Sequence, residues 1–70
     1  MEEKEILVST RVKYWRGIKG LTQDALAKKA DIPYTTLSKI ESGVVKKPSI
    51  QTIMKIAKGL DITLDELMNE

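Results

Sequence analysis

The residues Thr22 to Gly43, TQDALAKKADIPYTTLSKIESG, hold the side chains of this sequence best spaced for recognition chemistry. Their apolar members, Leu26, Ile32, Leu37 and Ile40, are spaced so that two short helices must cross around a tight turn. Burying those positions leaves a face of hydroxyl, amide and ammonium groups on one helix, held outward by a compact support. That is the geometry required to read base edges in a DNA major groove. Catalytic chemistry is poorly served. The chain has no cysteine and no histidine, which excludes disulfides, Cys/His metal sites and histidine catalysis. Its few carboxylates are mostly terminal or placed to cap helices, so neither an enzyme, a cofactor nor a metal is expected.

Charge is distributed to match. The net charge is +2, yet residues 1–10 carry three Glu against one Lys, for −2. Residues 11–58 carry eleven Lys or Arg against Asp24, Asp31 and Glu41, for +8, and residues 59–70 carry four acids and no base, for −4. A basic body with acidic ends fits one face turned to a polyanion and one end kept away from it. The start, MEEKEILVST, is acidic where a signal peptide needs a positive flank, and no apolar run approaches the roughly 18 residues of a membrane span. The expectation is a cytoplasmic, nucleoid-associated protein with no membrane partner.

The elements that position the central unit are all helical. Val8, Val12, Trp15 and then Ile18 or Lys19 recur at helical spacing and predict a first helix from about Ile6 to Lys19, closed by Gly20. Trp15, at helical spacing beside Val12, is expected as core or partly covered core. Thr22 is the N-cap of a second helix with inner positions Leu26, Ala27 and Ala30, and Leu21 with Leu26 would form its hydrophobic staple. Asp31 falls where the chain reverses into a left-handed residue, a conformation Asp tolerates. Ala27 must stay small where the third helix crosses.

Pro33 starts the third helix, with Leu37 and Ile40 inward, and Gly43 stops it. After the loop VVKKP, Ser49 caps a fourth helix with an inner face of Ile50, Ile53, Ile56, Ala57 and Leu60. Thr63 and Glu66 have capping-box spacing at the start of a fifth, where Ile62 and Leu67 would form the staple. No strand pattern and no internal repeat is read. The prediction is an all-α, compact five-helix bundle, residues 1–70 forming a single domain with its helix-turn-helix unit at about 22–43.

With RVKYWRGIKGLTQDALAKKADIP, LSKIESG and KPSIQTIMKIAKGLDITLDEL in view, the chain resembles the Cro/C1-type, Xre-like helix-turn-helix family of phage-repressor-like proteins. The resemblance covers about Val12 to Met68. It implies a lambda-repressor-like fold and a sequence-specific DNA-binding transcriptional regulator, a repressor on a two-fold operator. Carried over residue by residue, it implies that Gln23 at the start of the supporting helix contacts a DNA phosphate. The third helix becomes the recognition helix, with Tyr34, Thr35, Thr36, Ser38 and Lys39 toward the bases. Thr can meet a thymine methyl or hydrogen-bond a base, and Lys can reach guanine O6 and N7.

Lys46 and Lys47 would lie along the phosphate backbone, and Arg16 with Glu41 would form a buried structural salt bridge between the first and third helices. Leu64 and Met68 of the fifth helix would take part in a homodimer, assembled on DNA. The sequence departs from the family at Asp31, where glycine is usual, and at Pro33, where a Ser or Thr cap is usual. A different class of function fits the same residues: a protein-interaction module, such as the antitoxin of a toxin–antitoxin pair, with DNA binding secondary to a protein partner.

Overall fold

Residues 8–68 are described by the computed structural model. Five helices follow one another: α1 (Val8–Ile18), α2 (Gln23–Ala30), α3 (Tyr34–Ser42), α4 (Ile50–Gly59) and α5 (Leu64–Met68). The described residues contain no strand. Ile6, where the first helix was expected to begin, lies outside them.

The ends of the helices within the described residues have local causes. Thr22 Oγ1 accepts from the Ala25 N–H at 3.1 Å, and Ser49 Oγ accepts from the Thr52 N–H at 3.2 Å, each filling an N–H that the first turn leaves without a helical partner. Thr63 and Glu66 exchange bonds in both directions, Thr63 N–H to Glu66 Oε1 at 2.9 Å and Glu66 N–H to Thr63 Oγ1 at 3.0 Å. Pro33 sits one residue before α3 rather than inside it and supplies no side-chain cap. Gly43, at φ 86°, closes α3 in the left-handed region that glycine enters without a Cβ clash.

The core is one cluster. Val12, Leu26, Leu37, Ile40, Ile56, Leu60 and Leu67 are fully buried, with Ala27, Ala30 and Ala57 filling the closest approaches. The most extensive helix pairing is α2 on α4, while α1 bridges α3 and α5. A Cβ built on Gly59 would stand 2.9 Å from the Ala30 backbone nitrogen, so α4 can lie this close to α2 only with glycine there. Trp15 is half-buried against the cluster, with the Tyr14 ring edge-on at 5.7 Å.

Two expectations fail here. Ile50 is not on the inner face of α4 but 58% exposed. It is the first residue of the helix, and a helical side chain leans toward the N-terminus, beyond the edge of the bundle. Nor is the chain without a repeat. Residues 27–37 and 57–67 both read Ala-Lys-x-x-Asp-Ile followed by Leu five residues later, thirty positions apart. Their backbones agree as well. Asp31 and Asp61 are the two non-glycine residues of positive φ among those described, at 59° and 61°. Ile32 N–H donates to Ala27 O and Ile62 N–H to Ala57 O, both at 3.0 Å. The helix-turn-helix unit of α2 and α3 therefore has a shorter counterpart in α4 and α5.

Candidate nucleic-acid interface

The third helix is held by its inner side. Leu37, Ile40 and Glu41 are buried, and the turn before it is set by Asp31 (φ 59°, ψ 46°), whose N–H returns to Lys28 O at 3.2 Å. Aspartate accepts this left-handed backbone at lower cost than most side chains, which is why glycine can be absent here. With that face fixed, the opposite face must be outward.

On it stand Thr35 and Lys39, both exposed, and Tyr34, 49% exposed at the first turn. Thr36 and Ser38 flank them and are half-buried. Lys46 and Lys47 are exposed on the loop after Gly43, and Val45 N–H donates to Lys39 O at 3.1 Å, fastening that loop to the end of α3. One surface thus gathers hydroxyls, a phenol and three ammonium groups.

Beneath the surface lies a hydrogen-bonded ion pair. Arg16 donates from Nε to Glu41 Oε2 at 2.8 Å and from Nη2 to Glu41 Oε1 at 3.0 Å, a two-pronged contact whose geometry suits the planar guanidinium. Its Nη1 donates to Leu21 O at 2.9 Å, just before α2. The Glu41 side chain is 2% exposed and that of Arg16 24%. A carboxylate this deep is tolerable only with such partners. Gln23 completes the set, its Nε2 donating to Glu41 Oε1 at 3.0 Å. The end of α1, the start of α2 and the last turn of α3 are joined at one carboxylate.

Residues 12–67 match the sequence profile of the family described as Helix-turn-helix (HTH_3). The chain belongs to this helix-turn-helix family. Among its relatives is the HTH-type transcriptional regulator SinR of Bacillus licheniformis, 36% identical over 64 residues. That match takes in 91% of this chain but 58% of SinR, so the chain spans little more than half the length of that relative. A crystal structure of the master regulator for biofilm formation SinR in complex with DNA is 33% identical, with a TM-score of 0.83 over 90% of this chain and 100% of that one. The restriction-modification controller protein C.AhdI of Aeromonas hydrophila is 31% identical, with a TM-score of 0.81 over 89% of this chain and 92% of its own.

In this helix-turn-helix chain the fold gathers Tyr34, Thr35, Thr36, Ser38, Lys39, Lys46 and Lys47 on or beside one face. It does not leave Gln23 free at the start of α2: one proton of its amide is committed to Glu41. Leu64 and Met68 lie on α5, half-buried against the core. Two surface residues went unnoticed in the sequence. Ser42 is exposed on α3, and its position follows Thr35 and Lys39 at the i, i+4, i+7 spacing of one helix face, a signal that was available. Val44, 72% exposed in the basic loop, gave none, because an apolar residue in a loop reads as buried or exposed only once the loop has a path.

Proposed function

We propose that this helix-turn-helix chain is a sequence-specific DNA-binding transcriptional regulator, a repressor that occupies a two-fold operator with α3 in the major groove. The observation that carries the reading is the two-sidedness of α3: Leu37, Ile40 and Glu41 are locked into the core while Thr35 and Lys39 are presented outward. A rigid support of this kind turns side-chain identity into base preference, since each donor keeps its place relative to the groove. The relatives described as transcriptional regulators, and the solved relative in complex with DNA, support the same reading.

Thr35, Thr36, Ser38 and Lys39 take the base edges, with Tyr34 against a sugar, a phosphate or a thymine methyl at the margin. Lys46 and Lys47 take phosphates, aided by the loop's attachment to α3. Gln23 uses the second proton of its amide for a phosphate while the first stays on Glu41. Leu64 and Met68 lie with α5 at the end that pairs two copies, which sets the recognition helices about 34 Å apart, one duplex turn. The pair acts in the cytoplasm, at the nucleoid, and no helix of the described residues is long and apolar enough to cross a membrane.

Selection of bound duplexes from a random pool at about physiological salt is the test. An inverted repeat with half-sites one turn apart is the expected product, with Thr35→Ala and Lys39→Ala relaxing the preference at single positions. Recovery of no motif, with binding that vanishes as salt rises, would leave only a basic surface and end the operator reading.

A further inference from the structure

Arg16 by itself meets the charge of the buried Glu41, since it donates to both carboxylate oxygens, at 2.8 and 3.0 Å. The bond from Gln23 Nε2 to Glu41 Oε1 at 3.0 Å is surplus to charge balance, and what it adds is direction. A glutamine amide has two ends of opposite character: its nitrogen carries two donors and its oxygen only accepts. An ionised carboxylate accepts and does not donate. Facing Glu41, the Gln23 amide can therefore turn only its nitrogen inward.

One N–H of that nitrogen goes to Glu41, and the other leaves it at the wide angle of a planar amide. Gln23 is half-buried at the first residue of α2, so its side chain spans from the ion pair to the surface. The first-turn N–H groups there lack helical partners and favour an anion. The backbone beside it is fixed by the same pair, because Arg16 Nη1 donates to Leu21 O, two residues earlier, at 2.9 Å. Side chain and backbone of Gln23 are thus both referenced to the inner side of α3. Glu41 and the outward Lys39 share that helix, so a phosphate gripped by Gln23 is held in fixed register with the groups of α3.

We propose that Glu41 is a positioning residue for DNA binding: its carboxylate holds the Gln23 amide nitrogen inward, so that the second N–H meets one phosphate as a preset donor. The ion pair with Arg16 keeps the carboxylate in place and so belongs to the phosphate contact as well as to the fold. This deepens the phosphate role given to Gln23 above and rests on it. A donor fixed before binding loses little side-chain freedom on DNA. An untethered glutamine loses its rotamers there, and it turns its oxygen to the phosphate as readily as its nitrogen.

A double-mutant cycle tests this, because a structural ion pair and a positioning one differ in how their loss combines with loss of Gln23. The pair is replaced as a unit, Arg16→Met with Glu41→Met, which strands no buried charge and should keep the fold; circular dichroism checks it. Titrations use one fixed duplex that the wild type binds, whether or not the selection yields a motif. Gln23→Ala should weaken binding ~10-fold with the salt slope unchanged, since a neutral amide displaces no counterion. The paired substitution should cost a similar factor, and Gln23→Ala added to it less than ~2-fold more. Additive losses would overturn the proposal and leave the phosphate contact standing. No loss from Gln23→Ala would remove that contact and the proposal with it. Non-additive losses on a duplex with no preferred motif would uphold the proposal and remove the operator reading. Should the paired variant not fold, the free wild-type protein carries the test by NMR. One Gln23 side-chain amide proton should be shifted downfield and slow to exchange, and two ordinary protons would overturn the proposal.

Discussion

The α2–turn–α3 and α4–turn–α5 units are built on the same Ala-Lys-x-x-Asp-Ile turn, and almost everything outside the turn differs between them. α3 has nine residues, an outward row of hydroxyls and Lys39; α5 has five, with Asp65 and Glu66 in its first turn. α3 starts without a side-chain cap and α5 with a reciprocal one. At the matching position before the turn, α2 exposes Lys29 while α4 buries Gly59 under Ala30. α1 serves both units with one arginine each. Arg16 meets the buried carboxylate of α3, and Arg11 donates to the Leu67 carbonyl of α5 at 3.1 Å. A backbone turn can thus be used twice in one chain, and the charge and length of the following helix distinguish the two copies.

The largest way to break this comparison is at the two arginines. Arg16→Met strands the Glu41 carboxylate inside the fold, which should cost about 3–5 kcal/mol and sharply lower the melting temperature followed by circular dichroism. Arg11→Met removes bonds to the Leu67 and Glu66 carbonyls but strands no buried charge, and about 1–2 kcal/mol is expected. Equal losses would mean that α3 and α5 are held alike. Next comes the packing difference. Gly59→Ala forces α4 away from α2 and should destabilise by about 1–3 kcal/mol in urea titrations, while Lys29→Ala should stay within about 0.5 kcal/mol of wild type.

The caps come third. Thr63→Ala opens the capping box of α5 and should cost about 1 kcal/mol. Pro33→Ala removes no cap and should cost only about 0.5 kcal/mol, through a freer unfolded chain. The smallest effects sharpen the contrast of charge and are read in DNA titrations. Lys46→Ala or Lys47→Ala should each reduce the slope of log affinity against log salt by about one unit, and Lys58→Ala should leave it unchanged. Asp31→Asn should raise affinity for all duplexes slightly, and Asp61→Asn should not, although the two residues share one backbone geometry.

Most of the fold was legible because its signals are local. Thr22, Ser49 and Thr63 cap residues no more than three positions away, Gly43 ends its own helix, and the spacing of Leu26, Ile32, Leu37 and Ile40 marks the face to bury. The repeated turn was equally legible; a single motif read closely hid its weaker copy. The outward side of α3 could be named for the same reason, since it follows from the inward one. Gln23 shows where that reasoning stops. Its partner is eighteen residues away, and only the crossing of α2 and α3 brings its amide to Glu41.

By itself the sequence determined five helical stretches, the caps of α2, α4 and α5, the left-handed turn at Asp31 and the charge carried by each segment. These depend on backbone sterics and hydrogen bonds within a turn or so of each residue. The tertiary structure decided which apolar residues stay in water and which polar ones share a partner. Met54 is exposed because α4 turns that side away from α2, Ile50 because it stands at the first residue of the helix, and Leu64 is half-covered because α5 folds back on the core. Burial is a property of what lies across from a residue, and no spacing along one helix contains it.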